Sequence, residues 1–124
     1  MEAKELRIGN YVKDYYYDTT IEVSIKTLIV IEELTKPTSE FQCPIVPIPL
    51  TEDWLVRVGF YKGAIINIYL LDVHVDRFSG LIKITPKKDN KFEFNIGLIN
   101  LTSIKYIHQL QNLYYALTGQ ELQQ

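Results

Sequence analysis

The chain has 124 residues, 47% of them hydrophobic, 23% charged and 12% aromatic, and its 13 basic and 15 acidic side chains give a net charge of −2. That mixture predicts a single globular domain over residues 1–124: it is too apolar for a disordered chain, and no apolar run approaches the roughly 18–20 residues that would cross a bilayer, so no membrane partner is expected. The acidic balance argues against nucleic acid as a partner, and the lone Cys43 with the polar start Met1-Glu2-Ala3-Lys4-Glu5 predicts a reducing, cytoplasmic setting.

Leu6-Arg7-Ile8-Gly9-Asn10-Tyr11-Val12 alternates around a glycine and predicts a first strand with a turn or bulge at Gly9-Asn10. Residues 19–26 alternate at period two, and Thr27-Leu28-Ile29-Val30-Ile31 continues as an apolar, largely β-branched run, so two adjoining strands or one long bent strand are expected there. Pro37, Pro44, Pro47 and Pro49 fall within thirteen residues, which makes 36–49 a loop or edge segment and the best candidate for an internal boundary.

Thr51 then predicts the cap of a short helix, with Glu52 and Asp53 in its first turn, Leu50 and Leu55 at the hydrophobic-staple positions and Gly59 past its end. Trp54 and Val58 lie four apart on one face, which makes the single tryptophan a core anchor rather than a stacking platform. Residues 64–71, 73–78, 81–85 and 92–96 predict antiparallel strands, with turns at Ser79-Gly80 and across 87–91. Helical periodicity follows: Tyr106, Ile107, Leu110, Leu113, Tyr114 and Leu117 share one arc, predicting a helix from about Ile104 to Thr118, capped by Thr102 or Ser103 and closed by Gly119. The element order predicts an α+β fold. Its expected form is a strongly bent antiparallel sheet, barrel-like in the N-terminal half, with one short helix and an amphipathic C-terminal helix packed on it.

Asp72-Val73-His74-Val75-Asp76 carries the most suggestive chemistry, because strand periodicity would put both carboxylates and the imidazole on one face. Such a row could ligate a metal for a hydrolase or lyase, with Asp76 as base. Neighbours along one strand face are about 7 Å apart, however, and a structural zinc site needs four donors. The other histidine, His108, lies in the predicted helix, and no HExxH, paired CxxC or calcium-loop spacing is present. A solvated strand face explains the same alternation, and neither metal nor cofactor is expected. Cys43, between Gln42 and Pro44, sits in no nucleophile elbow, and the six glycines match no phosphate-cradling spacing.

Lys83, Lys87, Lys88 and Lys91 gather positive charge near the predicted 87–91 turn, either as an anion-binding patch or as the lysine guard of a sheet edge. Tyr15-Tyr16-Tyr17 could stack on bases, but Asp14 and Asp18 flank it and would repel a phosphate backbone, so a protein contact fits better. On the final helix Ile104, His108, Gln111, Asn112 and Tyr115 form a mixed strip beside the apolar arc, suited either to another subunit or to a half-exposed helix edge.

Leu6-Arg7-Ile8-Gly9-Asn10-Tyr11-Val12, Pro47-Ile48-Pro49-Leu50-Thr51-Glu52-Asp53-Trp54-Leu55, Val58-Gly59-Phe60 and the helix sequence from Ile107 through Tyr114-Tyr115-Ala116-Leu117-Thr118-Gly119-Gln120-Glu121-Leu122 together show a resemblance. The chain resembles a family of small proteins of Bacteroidetes-group bacteria and their phages and mobile elements. The resemblance implies that genomic setting and brings no activity, cofactor or catalytic residue with it. Between Tyr15 and Pro44, where the tyrosine cluster lies, the chain departs from the family pattern. The function expected is a non-enzymatic interaction module that binds a protein partner or forms a homo-oligomer. The alternatives are the metal-assisted enzyme on Asp72, His74 and Asp76, and a protein that sequesters a small ligand such as a nucleotide or signalling molecule.

Overall fold

The computed structural model describes residues 1–64 and 67–124. Its class is α+β: helices accompany two antiparallel sheets, of three and five strands, and the chain divides into two compact units, Met1–Ile48 and Pro49–Gln124. The division falls at the end of the proline-rich segment. Both sheets are open, so the barrel expected for the N-terminal half is not formed among the described residues. Among those residues no helix is long and apolar enough to cross a membrane.

In the first unit a 3₁₀ turn at Ala3–Glu5 leads to β1 (Tyr11–Asp14), β2 (Thr19–Glu22), α1 (Ile25–Leu34) and β3 (Ile45–Pro47). The strand expected from Leu6 begins only at Tyr11, because residues 7–10 form a turn. Gly9 takes φ +96°, its amide donates to the Val23 carbonyl at 2.9 Å, and Asn10 Oδ1 accepts the Arg7 amide at 2.7 Å. The sheet order is β2-β1-β3. Val12, Val23, Ile31 and Leu6 make its core, with Leu28, Ile21 and Cys43 against them.

The apolar run 27–31, expected as strand, is helical. Ser24 caps α1, and its Oγ accepts the Thr27 amide at 3.3 Å while Thr27 Oγ1 accepts the Ser24 amide at 3.2 Å. This reciprocal box satisfies donors that an isolated helix end leaves open, and it outweighs the weak strand preference of β-branched residues once one helix face can be buried at Ile31. Thr35 stops the helix, bonding the Ile31 carbonyl through both its amide and its hydroxyl.

The second unit holds α2 (Glu52–Arg57), β4 (Tyr61–Lys62), β5 (Tyr69–His74), β6 (Ser79–Pro86), β7 (Phe92–Ile96), β8 (Ile99–Ile104) and α3 (Ile107–Thr118). Thr51 caps α2 through Oγ1, which accepts the Trp54 amide at 3.2 Å. Trp54, Leu55, Leu50 and Val58 are buried as expected, and Arg57 lies over the indole at 5.1 Å. The five strands run in the order β4-β5-β6-β7-β8.

Several boundaries differ from expectation. The strand expected at 73–78 is instead the end of β5 followed by a tight turn, in which Val75 and Phe78 exchange backbone hydrogen bonds of 3.0 and 3.2 Å. Ser79 and Gly80, expected as the turn, open β6 opposite His74 and Val73. At Gly80 a Cβ would meet the end of the Phe78 ring, Cζ at 3.1 Å, so a larger residue requires that ring to give way. The turn expected across 87–91 is present, with Asp89 and Asn90 both at positive φ. Of the strand expected at 64–71, residues 65–66 lie outside the described residues, and Tyr69 to Leu71 belong to β5.

β8 also departs from expectation. Thr102 and Ser103 do not cap the last helix but belong to an edge strand, which reaches β7 through a two-residue turn with Gly97 at φ +57°. The helix starts at Ile107, where Gln109 Oε1 accepts the Lys105 and Tyr106 amides at 2.7 and 3.1 Å. Gly119 ends it at φ +73°, in the left-handed conformation that glycine enters without strain.

Candidate functional site

The sheet register sorts the polar row. Asp72 and His74 share one face of β5 with buried Val73 behind them, while Asp76 falls in the turn after the strand and leaves the row. Both strand residues already have partners: the Tyr61 hydroxyl donates to Asp72 Oδ2 at 3.0 Å, and His74 Nδ1 lies 3.2 Å from Ser79 Oγ. The bond to Asp72 is the main cause that holds the Tyr61 phenol above its ordinary pKa. Among the described residues, no group of three or more His, Cys, Asp or Glu is placed to hold a metal ion.

The lysines do not converge on a built site. Lys87, Lys88 and Lys91 are exposed around the tip between β6 and β7, with Asp89 among them and Glu93 3.8 Å from Lys87. Lys83 sits within β6 and, with Gly63, Ala64, Ile68 and Leu70, lines an apolar cavity of about 320 Å³.

The strip expected on the last helix is split. Ile104 ends β8 and is buried, as are His108 and Gln111; Asn112 is half-buried and Tyr115 exposed. His108 stacks on Tyr106 with ring centroids 5.7 Å apart, and Gln111 Nε2 donates to the Leu122 carbonyl at 3.2 Å. Of the five residues, then, Tyr115 and part of Asn112 reach the surface.

Tyr15, Tyr16 and Tyr17 are the most exposed aromatic cluster, at 68%, 69% and 78%. They occupy the turn between β1 and β2, which Asp14 builds by accepting the amides of Tyr16 and Tyr17 at 2.9 and 3.3 Å. Asp18 closes the turn at φ +52° and pairs with Lys13 at 3.2 Å. The rings of Tyr15 and Tyr16 meet edge to face at 5.7 Å.

This tip is tied to the proline-rich segment by a 2.8 Å hydrogen bond from the Tyr15 amide to the Pro44 carbonyl. Tyr15, Tyr16, Gln42, Cys43, Pro44 and Val46 together line a cavity of about 240 Å³. Phe41, exposed, stands in the same segment. Sequence reasoning did not single it out, though both of its immediate neighbours, Glu40 and Gln42, are polar. The other surface missed is β8, on which Ile99 and Leu101 are exposed.

Compared with protein-family models, curated proteins and solved structures, the chain matches none.

Proposed function

We propose that this chain is a non-enzymatic interaction module that binds a protein partner through the tyrosine tip between β1 and β2. The observation that carries this reading is the exposure of three consecutive tyrosines on a hydrogen-bonded turn. An aromatic side chain has few torsions to immobilise and much area to bury, so rings held out on a fixed turn lose little entropy on docking. The carboxylates of Asp14 and Asp18 flank the rings and favour a partner whose rim is basic.

At the tyrosine tip a small-ligand reading has less support, because the cavity that Tyr15 and Tyr16 line is smaller than the roughly 300–1,000 Å³ of ordinary ligand sites. The metal-assisted reading gains nothing from a row that has lost Asp76. A phage or mobile-element setting rests on the sequence motifs alone.

The test is affinity capture from cell lysate, quantified by mass spectrometry, with the natural chain and with a Tyr16→Ser/Tyr17→Ser double variant. A specific partner should be retained by the natural chain and depleted at least about tenfold by the variant, at an unchanged melting temperature. An identical captured set from both chains would refute the tip as the binding surface.

A further inference from the structure

We propose that β8 is the docking edge for a second copy of this chain, the two copies pairing antiparallel about a two-fold axis with Asn100 of each opposite Ser103 of the other. This goes beyond the tyrosine-tip reading and uses a different surface.

The backbone identifies what the edge would accept. β8 is the last strand of the five, and no strand lies on its outer side among the described residues. Ile96 and Ile99 flank the two-residue turn and face each other, so the next residue, Asn100, directs its N–H and C=O outward. At the other end, the Lys105 carbonyl accepts the Leu50 amide at 2.8 Å, and Pro49 bridges Tyr106 antiparallel. Lys105 therefore faces outward on this side, and Ser103, two residues earlier, does as well. The register shift between Phe94 and Asn95 inserts Leu101 as a bulged residue, which reconciles outward groups at positions 100 and 103. The Pro49-Leu50 segment thus covers the end of the edge, then turns into α2 and leaves the outer side of 99–103 unpaired by any strand among the described residues, with the Thr102 hydroxyl 3.4 Å from the Ser103 carbonyl. Such a row of donors and acceptors is a template for another extended backbone.

The side chains favour a second copy. The core face of the sheet runs from Tyr69 through Ile84 to Phe94, all buried, and the register carries it on to β8. There Ile104 is still buried, while Ile99, opposite Ile96, and the bulged Leu101 are left 64% and 45% exposed. Pairing Asn100 with Ser103 of the second copy sets Ile99 opposite its Ile104 and Leu101 opposite its Thr102, so the same apolar face continues across the junction. No charged residue occurs from Phe94 to Ile104, so the two-fold brings no like charges together.

The other edges carry guards that β8 lacks: β4 has two residues, one of them Lys62, β2 ends in Glu22, and β3 ends in Pro47. A two-fold pairing through β8 therefore closes at a dimer, because the far edge of the sheet is too short and too charged to extend it.

Native mass spectrometry and light scattering on the natural chain and on Leu101→Lys test the proposal, with far-UV circular dichroism as the folding control. The natural chain should run at twice its chain mass, and Leu101→Lys should weaken dimerisation by at least about tenfold. Hydrogen exchange on the natural chain needs no substitution: the amides of Asn100 and Ser103 should exchange more slowly as concentration rises. A natural chain that stays monomeric, a dimer that Leu101→Lys leaves intact, or exchange at Asn100 and Ser103 that ignores concentration would each overturn it.

Discussion

Ser24 and Thr27 exchange hydrogen bonds, each side-chain oxygen accepting the other's amide, and the two hydroxyl oxygens lie 3.1 Å apart. The pair caps the start of α1, in which the largely β-branched run 27–31 is helical. Replacing Ser24 with Ala removes the acceptor at the helix start and should cost about 1 kcal/mol. Urea denaturation of the natural chain and Ser24→Ala compares the midpoints directly; equal midpoints would mean that α1 is held by packing alone.

What was legible in the sequence divides along the same physical line. Phe92 to Ile96 was read to the residue because its alternation matches the sheet's two faces, with Phe92 and Phe94 buried on one of them. The short helix was legible because Thr51, the acidic first turn and Gly59 all report locally. Residues 27–31 were misread because their β-branched composition speaks for strand, while the capping box at Ser24 and the burial of Ile31 accompany a helix. The edge strand β8 was missed because bulged Leu101 breaks period two. The turn at 75–78 was missed because it contains neither glycine nor proline.

The expected helix strip failed as a surface for a further reason: it assumed a helix running through Ile104 with its polar side in water. Gly119 reverses the chain, so that Leu122 is buried and its carbonyl receives Gln111. Nothing in the helix's own periodicity reports that returning tail. The tyrosine tip was legible as a candidate from Tyr15-Tyr16-Tyr17 between two aspartates, whereas its link to Pro44 depends on strand pairing distant in sequence.

Gly59 follows α2 at φ +106°, and the nearest atom to a Cβ built there is Leu71 Cδ1 at an ordinary 3.7 Å. Space is available, so a substitution reports backbone strain alone. Gly59→Ala should lower stability by about 1–3 kcal/mol, and Gly59→Asn should recover part of that loss, since asparagine tolerates positive φ better. Thermal unfolding of the three chains checks the order; equal losses for Ala and Asn would point to a cause other than φ.

Phe94 is fully buried on the core face, where β7 register places it between Ile84 and Thr102. Phe94→Ala leaves a cavity and should cost about 3–5 kcal/mol, while Phe94→Leu, which refills most of the volume, should cost markedly less. Chemical denaturation monitored at Trp54 is the measurement. A loss below about 1 kcal/mol for the alanine variant would mean that the sheet collapses around the gap.

Tyr69 lies buried on β5, and burial first, with a hydrogen bond to the Glu52 carboxylate second, pushes its phenol above the ordinary value. The sign follows by linkage: in the unfolded chain the phenol ionises near pH 10, while the folded protein holds its proton to higher pH. The stabilisation is therefore complete below about pH 10 and is lost as pH rises through the folded value. Tyr69→Phe keeps the ring and removes the titrating group. Its melting temperature should be lower than that of the natural chain at pH 8, by the loss of about 1 kcal/mol of hydrogen bonding, and the gap should narrow on going to pH 11. Melting curves of both chains at closely spaced pH values give the result directly. Parallel curves across that range would show that the Tyr69 proton is not linked to folding.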